Sequence, residues 1–255
     1  MVRIVKYVLR DILRSRFVLA YAVFLLAASF GLFHLGGDVS KGLVGQLSLV
    51  LLVVPLVCLV FGTIHFYNSY DFIELLAAQP IKRRSILLGQ YLGVAGALLA
   101  ALLVGVAVPL LLYAASATGF ILLSVGVLLT VIFTAIAFLG AVATRDKAKG
   151  VGLALLVWFY FALLHNGIML LVMLFFEEYP LEKPTMVMIA LNPIYLGRIA
   201  VLLHMDVSAM MGYTGALMKD MLGTATGIVS AAGILVLWAA LPVLLSLRIF
   251  RKKDL

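Results

Sequence analysis

The side chains that could do chemistry in this chain lie in a short interruption of an otherwise apolar sequence. Residues 74–93 read ELLAAQPIKRRSILLGQYLG, where a glutamate, a proline and three consecutive cations separate two stretches able to cross a bilayer. Asp71 followed by Glu74 is typical of a capped helix start, and Pro80 ends or bends that helix. The pattern predicts a short helix beside the membrane. It is either a contact site for another protein or a hydrophilic turn anchored by cations.

A second set of candidate ligands consists of methionines and histidines. Nine of the ten methionines lie between Met169 and Met221, and thioether and imidazole groups suit Cu(I). His165, Met169 and Met173 share one face of a predicted helix, at spacings of four residues. Methionine also fills irregular helix interfaces. This set is therefore either a copper path or packing, and the sequence assigns no metal site.

Motifs for nucleotide binding and hydrolysis are absent from the sequence. There is no GxxxxGK[ST] loop to hold phosphate, no HExxH pair and no GxSxG turn. Acidic residues are almost missing from the apolar stretches, where ion-coupled carriers keep ionisable groups. We therefore expect a non-catalytic chain without a cofactor of its own, and a secondary carrier is disfavoured.

Long apolar helices must position these residues. Hydrophobic residues make up 65% of the 255 and charged residues 12%, against roughly 25% charged in soluble proteins. Six continuously apolar stretches each approach or exceed the roughly 20 residues that a transmembrane helix needs. They are residues 17–35, 47–67, 91–114, 119–143, 151–176 and 223–247. The sequence predicts an all-α integral membrane protein with a single transmembrane domain, residues 1–255.

The distribution of cations orients these six spans. Both termini lie on one side of the membrane, and fifteen of the 19 Lys and Arg residues fall in segments on that side. The positive-inside rule makes that side cytoplasmic. We expect a multi-pass protein of a bacterial inner membrane with both termini in the cytoplasm. The net charge of +8 is explained by the lipid bilayer, without nucleic acid.

Residues 1–16 predict an interfacial amphipathic helix that leads into the first span. Its apolar side is predicted to hold Val2, Val5, Val8, Leu9, Ile12 and Leu13, and its polar side Arg3, Lys6, Arg10 and Arg14.

The longest polar segment, residues 177–222, is predicted to be extracytoplasmic. Asn192 can cap a helix there, with Pro193 in the first turn. Glycines break the apolar pattern after residue 206. We expect two short helices, on or in the outer leaflet or against a neighbouring subunit.

This layout resembles the permease subunits of type-2 ATP-binding-cassette (ABC) exporters. The shared elements are an amphipathic N-terminal helix, six spans, a coupling helix after the second span within residues 68–90, and short outer helices before the sixth. ELLAAQPIKRRSILLGQYLG together with NPIYLGRIAVLLHMDVSAMMGYTGA is similar to the NosY-type permeases, which process copper for nitrous oxide reductase maturation in denitrification. This sequence-level likeness covers roughly 45 residues, and Gln90 stands where lysine is common.

The resemblance implies a homodimer with two copies of a cytoplasmic ABC ATPase of the NosF type, which binds ATP and Mg²⁺, and a periplasmic partner of the NosD type. ATP hydrolysis would then drive transport or mechanical signalling for copper-site assembly. The implied ATPase contact consists of Glu74, Leu75, Leu76, Pro80, Lys82, Arg83 and Arg84. The outer-partner contact is predicted at Arg198, His204 and Asp206.

Two other readings stay open from the sequence. The chain could belong to a type-2 exporter of a lipid, a drug or a haem-related molecule. It could also be an ATP-independent scaffold or secondary carrier in the membrane.

Overall fold

A computed structural model describes residues 1–144, 146–176, 182–205 and 225–252, without the side chains of residues 182, 183 and 225–229. All regular elements in these ranges are helical. The first half contains α1 (Val2–Leu13), α2 (Arg16–Leu35), α3 (Val39–Asn68), α4 (Tyr70–Ala77), α5 (Arg83–Leu102), the π turn π1 (Leu103–Ala107), α6 (Val108–Tyr113) and α7 (Ala117–Ala143). The second half contains α8 (Lys147–Phe159), the π turn π2 (Tyr160–Leu164), α9 (His165–Phe175), α10 (Glu182–Ala190), α11 (Pro193–Leu202) and α12 (Ala225–Lys252).

Within the described residues, six helices are long and apolar enough to cross a membrane. They are α2, α3, the α5–π1–α6 unit, α7, the α8–π2–α9 unit and Ser230–Lys252 of α12. The prediction of an all-α integral membrane protein is confirmed.

Two predicted boundaries are wrong by about two helical turns. The third span begins at Arg83 rather than at residue 91. The second span begins at Val39 rather than at residue 47, so the predicted loop 36–46 is reduced to residues 36–38. The side chain of Asp38 caps this longer helix by accepting a hydrogen bond from the Ser40 amide at 3.3 Å. The cap lets the polar residues at the start of α3 join the helix.

The centre of the bundle is formed by α3, α5 and α7. A Cβ atom on Gly126 of α7 would lie 3.4 Å from Val50 and 3.3 Å from Leu102, so the three helices approach closely there. The Tyr91 hydroxyl donates a hydrogen bond to the Val131 carbonyl at 3.2 Å and links α5 to α7. These contacts pack the three helices against one another.

The third span contains a π turn just before Pro109. Proline has no N–H, and its ring clashes with the carbonyl of an α-helical residue four positions earlier. The chain accommodates Pro109 by widening to π1, after which α6 starts at Val108. A second π turn, π2, interrupts the fifth span without a proline.

α1 forms as predicted, but its buried face differs from the predicted one. Ile4, Val8 and Ile12 are buried, whereas Val2 is 78% exposed and Leu13 is 38% exposed. The reason is a groove of glycines on α5. Cβ atoms added at Gly89 and Gly93 would lie 2.7 and 2.5 Å from Ile4 and Val8. The helix therefore packs against α5, and the α5 surface selects the face.

The close packing of α1 in this groove leads to a prediction about the free energy of unfolding. Gly93→Ala places a Cβ 2.5 Å from Val8 Cγ1, so we expect the free energy of unfolding to fall by about 1–3 kcal/mol through overpacking. Gly152→Ala is the matched control, because no atom lies within 4 Å of its Cβ position. The control should be neutral or stabilising by up to about 1 kcal/mol. Thermal unfolding in detergent measures both; equal losses would contradict the packing of α1 against α5.

Two ends of the bundle can be distinguished by charge. We call the end that carries α1, α4 and the last turn of α12 the basic end. Arg251 of α12 lines a cleft there with Lys82, Arg83 and Arg84, so the end of the last span lies beside the start of the third.

At the other end, which we call the opposite end, α10 and α11 form a bent helical pair. Their axes turn by 105° at the break between them. Asn192 caps α11 and Pro193 occupies its first turn, as predicted. α10 was not predicted, and the predicted helix in residues 206–222 lies outside the described residues.

α11 enters the bundle instead of lying on its surface. A Cβ on Gly197 would approach Val125 to 2.7 Å and Leu51 to 3.8 Å, and Ile199 and Val201 are buried. The glycine lets α11 wedge between α3 and α7. This placement differs from the leaflet or subunit contacts expected from the sequence, because the partner surface is provided by the chain's own spans.

Candidate functional site

The short helix predicted within residues 68–90 is present as α4, at the basic end between α3 and α5. Its N-cap is Ser69, and Asp71 lies in the first turn rather than at the cap. The helix ends at Ala77, before Pro80, and α5 begins at Arg83. Proline disfavours helical geometry in the residue before it, which explains the break.

One face of α4 anchors it to the bundle. Ile73 is 1% exposed and Leu76 is 8% exposed. The ring of Phe72 stacks on Tyr7 of α1 at a centroid distance of 5.4 Å. Burial of these side chains holds α4 against its neighbours.

A polar link joins the start of α4 to both adjacent spans. His65 Nε2 lies 3.3 Å from the Ser69 hydroxyl and 3.3 Å from Gln90 Oε1. The Ser69 side chain makes no capping bond to α4 and lies within hydrogen-bonding distance of His65 instead. The N-cap of α4 is therefore linked through His65 of α3 to Gln90 of α5.

The other face of α4 is exposed and has a defined composition. Asp71, Glu74, Leu75 and Ala78 are all exposed and follow helical spacing. We call these four residues the α4 outer stripe. Leu75 is 59% exposed, so an apolar side chain is exposed next to two acidic residues. A partner with a basic rim and an apolar pocket fits this surface.

The residues assigned to the ATPase contact divide between the two faces and the turn. Glu74 and Leu75 lie on the stripe, while Pro80, Lys82 and Arg84 are exposed in and after the turn. Arg83 is half-buried, and Leu76 is buried and supports the helix. The sequence reasoning missed Asp71 and Ala78 as exposed neighbours, although a helical wheel drawn from Glu74 would have included them.

At the opposite end, the residues assigned to an outer partner lie at the end of α11. Arg198 is half-buried and His204 is exposed. His204 Nδ1 lies 2.9 Å from the Ala200 carbonyl, and the His204 carbonyl accepts from Thr118 Oγ1 at 3.0 Å. The third residue, Asp206, lies outside the described residues. His204 is thus held beside the start of α7.

The break between α10 and α11 is hydrogen-bonded to the middle of the fifth span. Asn192 is fully buried; its Nδ2 donates to the Phe161 carbonyl at 2.8 Å, and its Oδ1 accepts from the Ile194 amide at 2.9 Å. Phe161 lies in π2, at the midpoint of Lys147–Phe175. One side chain therefore caps α11 and binds the fifth span.

The last four carbonyls of α10 all have partners. Those of Val187 and Ile189 accept from backbone amides of the break. The carbonyl of Met188 accepts from His165 Nε2 at 2.9 Å, and that of Ala190 accepts from Trp238 Nε1 at 3.0 Å. Helix ends away from water need such partners. The fifth and sixth spans thus supply the C-terminal cap of α10.

This bonding gives His165 a structural role. Its Nε2 is engaged by Met188, His165 and Met169 are buried, and Met173 is half-buried. Within the described ranges, no three His, Cys, Asp or Glu side chains are grouped as a metal site. The copper-path hypothesis for His165, Met169 and Met173 stays a prediction.

Comparison with known proteins gives two matches. A family model described as ABC-2 family transporter protein matches residues 45–255. The chain is also similar to "Probable ABC transporter permease protein NosY" of Pseudomonas aeruginosa. The identity is 28% over 269 aligned positions, which cover 97% of this chain and 96% of that protein.

Proposed function

Because this chain belongs to the ABC-2 family of transporter proteins, we propose that it is the membrane subunit of a complex driven by a separate ABC ATPase. ATP and Mg²⁺ bind to that ATPase, and the chain itself is not catalytic. A permease of this family implies such a partner.

This proposal rests on the way α4 is attached to the bundle. A helix that transmits movement from an ATPase to the spans needs a firm attachment to those spans and an exposed face that binds the ATPase. Ile73 and Leu76 supply the attachment, and the α4 outer stripe supplies the face. Lys82, Arg83 and Arg84 flank it at the membrane boundary.

The contacts within the bundle suggest how a movement of α4 is transmitted to the opposite end. Movement of α4 acts on α3 and α5 through Ser69, His65 and Gln90. α3 and α5 are packed against α7, and α3 and α7 hold α11 at Gly197. Closure of the ATPase would in this way reorient the α10–α11 pair at the opposite end. Arg198, His204 and Asp206 would pass that motion or a cargo to an outer partner.

We further propose that the complex assists copper-site assembly of nitrous oxide reductase. The support is similarity to NosY along nearly the whole chain. In this proposal the chain is a homodimer in a bacterial inner membrane, with both termini in the cytoplasm. A NosF-like ATPase binds at the basic end and a NosD-like protein binds in the periplasm.

The test combines purification and phenotype. The tagged chain, extracted from its native membrane, is expected to co-purify with an ABC ATPase, and its deletion is expected to yield copper-poor nitrous oxide reductase. Copper content per reductase and subunit identification by mass spectrometry measure these outcomes. Recovery of the chain without any ATPase, or activity in a gradient-driven flux assay without ATP, contradicts the proposal and favours a scaffold or secondary carrier.

One structural feature favours a second candidate, a type-2 exporter of a lipid, drug or haem-related molecule. A cavity of about 280 Å³ lies between α7, α11 and α12, with a lining that is mainly apolar and includes Val125, Leu128 and Ile199. Such a cavity fits an apolar cargo. A co-purifying ATPase together with fully copper-loaded reductase in the deletion strain selects this candidate.

A further inference from the structure

Two polar side chains are enclosed between α2 and α3, within the membrane-spanning part of the bundle. Ser29 of α2 and Gln46 of α3 are both fully buried. The Ser29 hydroxyl and both polar atoms of the Gln46 amide have no hydrogen-bond partner among the described residues. Buried polar side chains nearly always have a partner, so this pair is exceptional.

The packing of α2 against α3 places these two side chains at one level. The helices run antiparallel and are joined by residues 36–38. A Cβ on Gly42 of α3 would overlap the ring of Phe33 of α2, so the helices touch there. Ser29 lies one turn before Phe33, and Gln46 lies one turn after Gly42. Both therefore lie one turn further into the bundle, on the faces through which the helices touch.

The third span passes α2 at the same level with its proline. A Cβ on Gly105 of π1 would overlap the side chain of Leu25. About two turns further along, Tyr113 of α6 stacks on Phe33 at a centroid distance of 5.6 Å. Midway between these two contacts lie the unpaired serine of α2 and Pro109 of the third span. Because proline has no N–H, the α-helical hydrogen bonding of the span is also interrupted at this level.

The chemistry of the unpaired atoms identifies a ligand. A buried donor or acceptor without a partner has lost its bonds to water, and the surrounding lipid offers none in exchange. The Gln46 amide can donate and accept, and so can the Ser29 hydroxyl. Both side chains are neutral, so neither attracts an ion. The smallest neutral molecule that both donates and accepts is water, which binds buried polar groups of this kind.

Access for water requires a small separation of the helices. The polar atoms of Ser29 and Gln46 are fully enclosed in this conformation, so water reaches them when the third span moves away from α2 and α3. The π turn π1 and Pro109 lie on that span beside the pair. Helices kink at π turns and at prolines, so the span can bend there.

We propose that Ser29 and Gln46 form a water-binding site between α2, α3 and the third span, and that bending of the third span at π1 admits the water. The water donates to the Gln46 carbonyl oxygen and accepts from the amide or from the Ser29 hydroxyl. It supplies exchangeable hydrogen bonds beside the bend, so the span changes its angle without leaving these groups unpaired. The site does not depend on which partner binds at the basic end.

Radiolytic hydroxyl labelling of the purified full chain in detergent tests the site, because radicals formed from bound water modify the side chains around it. Leu25, one turn from Ser29, is compared with Leu98 of α5. Both leucines are fully buried. We expect Leu25 to be modified at least about tenfold faster than Leu98. Equal rates at the two leucines overturn the proposal.

A double variant tests whether the two polar side chains hold the water. S29A/Q46L should slow the labelling of Leu25 at least about fivefold. The matched control is S48A, which removes an exposed hydroxyl of α3 that bonds the Val44 carbonyl of its own helix. The control should leave the rate unchanged. If Leu25 is labelled as fast in S29A/Q46L as in the unaltered chain, other groups hold the water and the proposal is wrong.

Leu98 reports on the fold of each variant, because an opened bundle would label both leucines. Should S29A/Q46L label Leu98, the smaller change S29A decides; it should slow the labelling of Leu25 at least about twofold, and an unchanged rate overturns the proposal.

Pro109→Ala tests the route of entry. The substitution restores the missing N–H and favours a regular helix, so labelling of Leu25 should slow at least about threefold. An unchanged rate with Leu98 still unlabelled shows that bending at π1 does not admit the water, which contradicts the proposal.

Discussion

The variant Glu74→Arg/Leu75→Ser is expected to separate the membrane bundle from its ATPase while leaving the bundle folded. Both residues lie on the α4 outer stripe, and Leu75 is 59% exposed. Loss of one partner of an interfacial charge pair costs about 2–5 kcal/mol, so binding of the ATPase should weaken by more than about tenfold. Co-purification of the ATPase and stimulation of its ATP hydrolysis by the chain measure the effect.

The neighbouring leucines provide the control. Leu75→Ala should weaken ATPase binding without changing the unfolding temperature. Leu76→Ala truncates a side chain that is 8% exposed, so it should lower the free energy of unfolding by about 2–4 kcal/mol. If Leu75→Ala unfolds the protein as readily as Leu76→Ala, or if the charge-reversed variant binds the ATPase normally, α4 does not couple the two proteins in the way proposed.

Asn192→Leu is expected to release the α10–α11 pair from the fifth span. The substitution removes the cap of α11, worth about 0.5–2 kcal/mol. It also leaves the Phe161 carbonyl without its side-chain donor in a buried setting, which costs about 1–3 kcal/mol. The combined loss of about 1.5–5 kcal/mol should appear in thermal unfolding in detergent. Under the proposed function, ATP hydrolysis should continue while copper loading of the reductase fails, because the proposed ATPase contact is at the other end.

Two variants separate the contributions to this loss. Asn192→Ser keeps a capping oxygen but is too short to reach Phe161, so it should show about half of the effect. Asn166→Leu changes a half-buried asparagine of the fifth span itself, whose Nδ2 bonds only the Ala162 carbonyl of its own helix. It should have little effect. Comparable losses at Asn166 and Asn192 would show that the loss does not depend on the hydrogen bond from Asn192 to the fifth span.

The sequence predicted the existence of α4 but not which of its faces is exposed. Pro80 and the cations after it interrupt the apolar pattern strongly enough to place a short helix. Which of Leu75 and Leu76 contacts a partner depends on where α3, α5 and α1 lie around that helix. Both were assigned to the contact from the motif, and the structure separates them by burial.

Of the hydrogen bonds that hold the α10–α11 pair, only the capping of α11 could be predicted from the sequence. Asn192–Pro193 marked the start of α11 because capping is a local interaction. His165 and Trp238 donate to carbonyls 23 and 48 residues away along the chain. A spacing of four residues between His165 and Met169 suggested a metal path, whereas the structure gives the imidazole a backbone partner.

By itself the sequence determined the membrane class, the number of spans and the clustering of cations at one end. These properties depend on hydropathy and charge summed along continuous segments, and each segment partitions between lipid and water largely independently of the others. Only the tertiary structure decided that Ile4, Val8 and Ile12 form the packed face of α1, that α11 enters the bundle, and that Arg251 and Lys82 line one cleft. Those outcomes depend on which surfaces of distant helices fit together, since contacts such as Gly93 against Val8 exist only once both helices are in place.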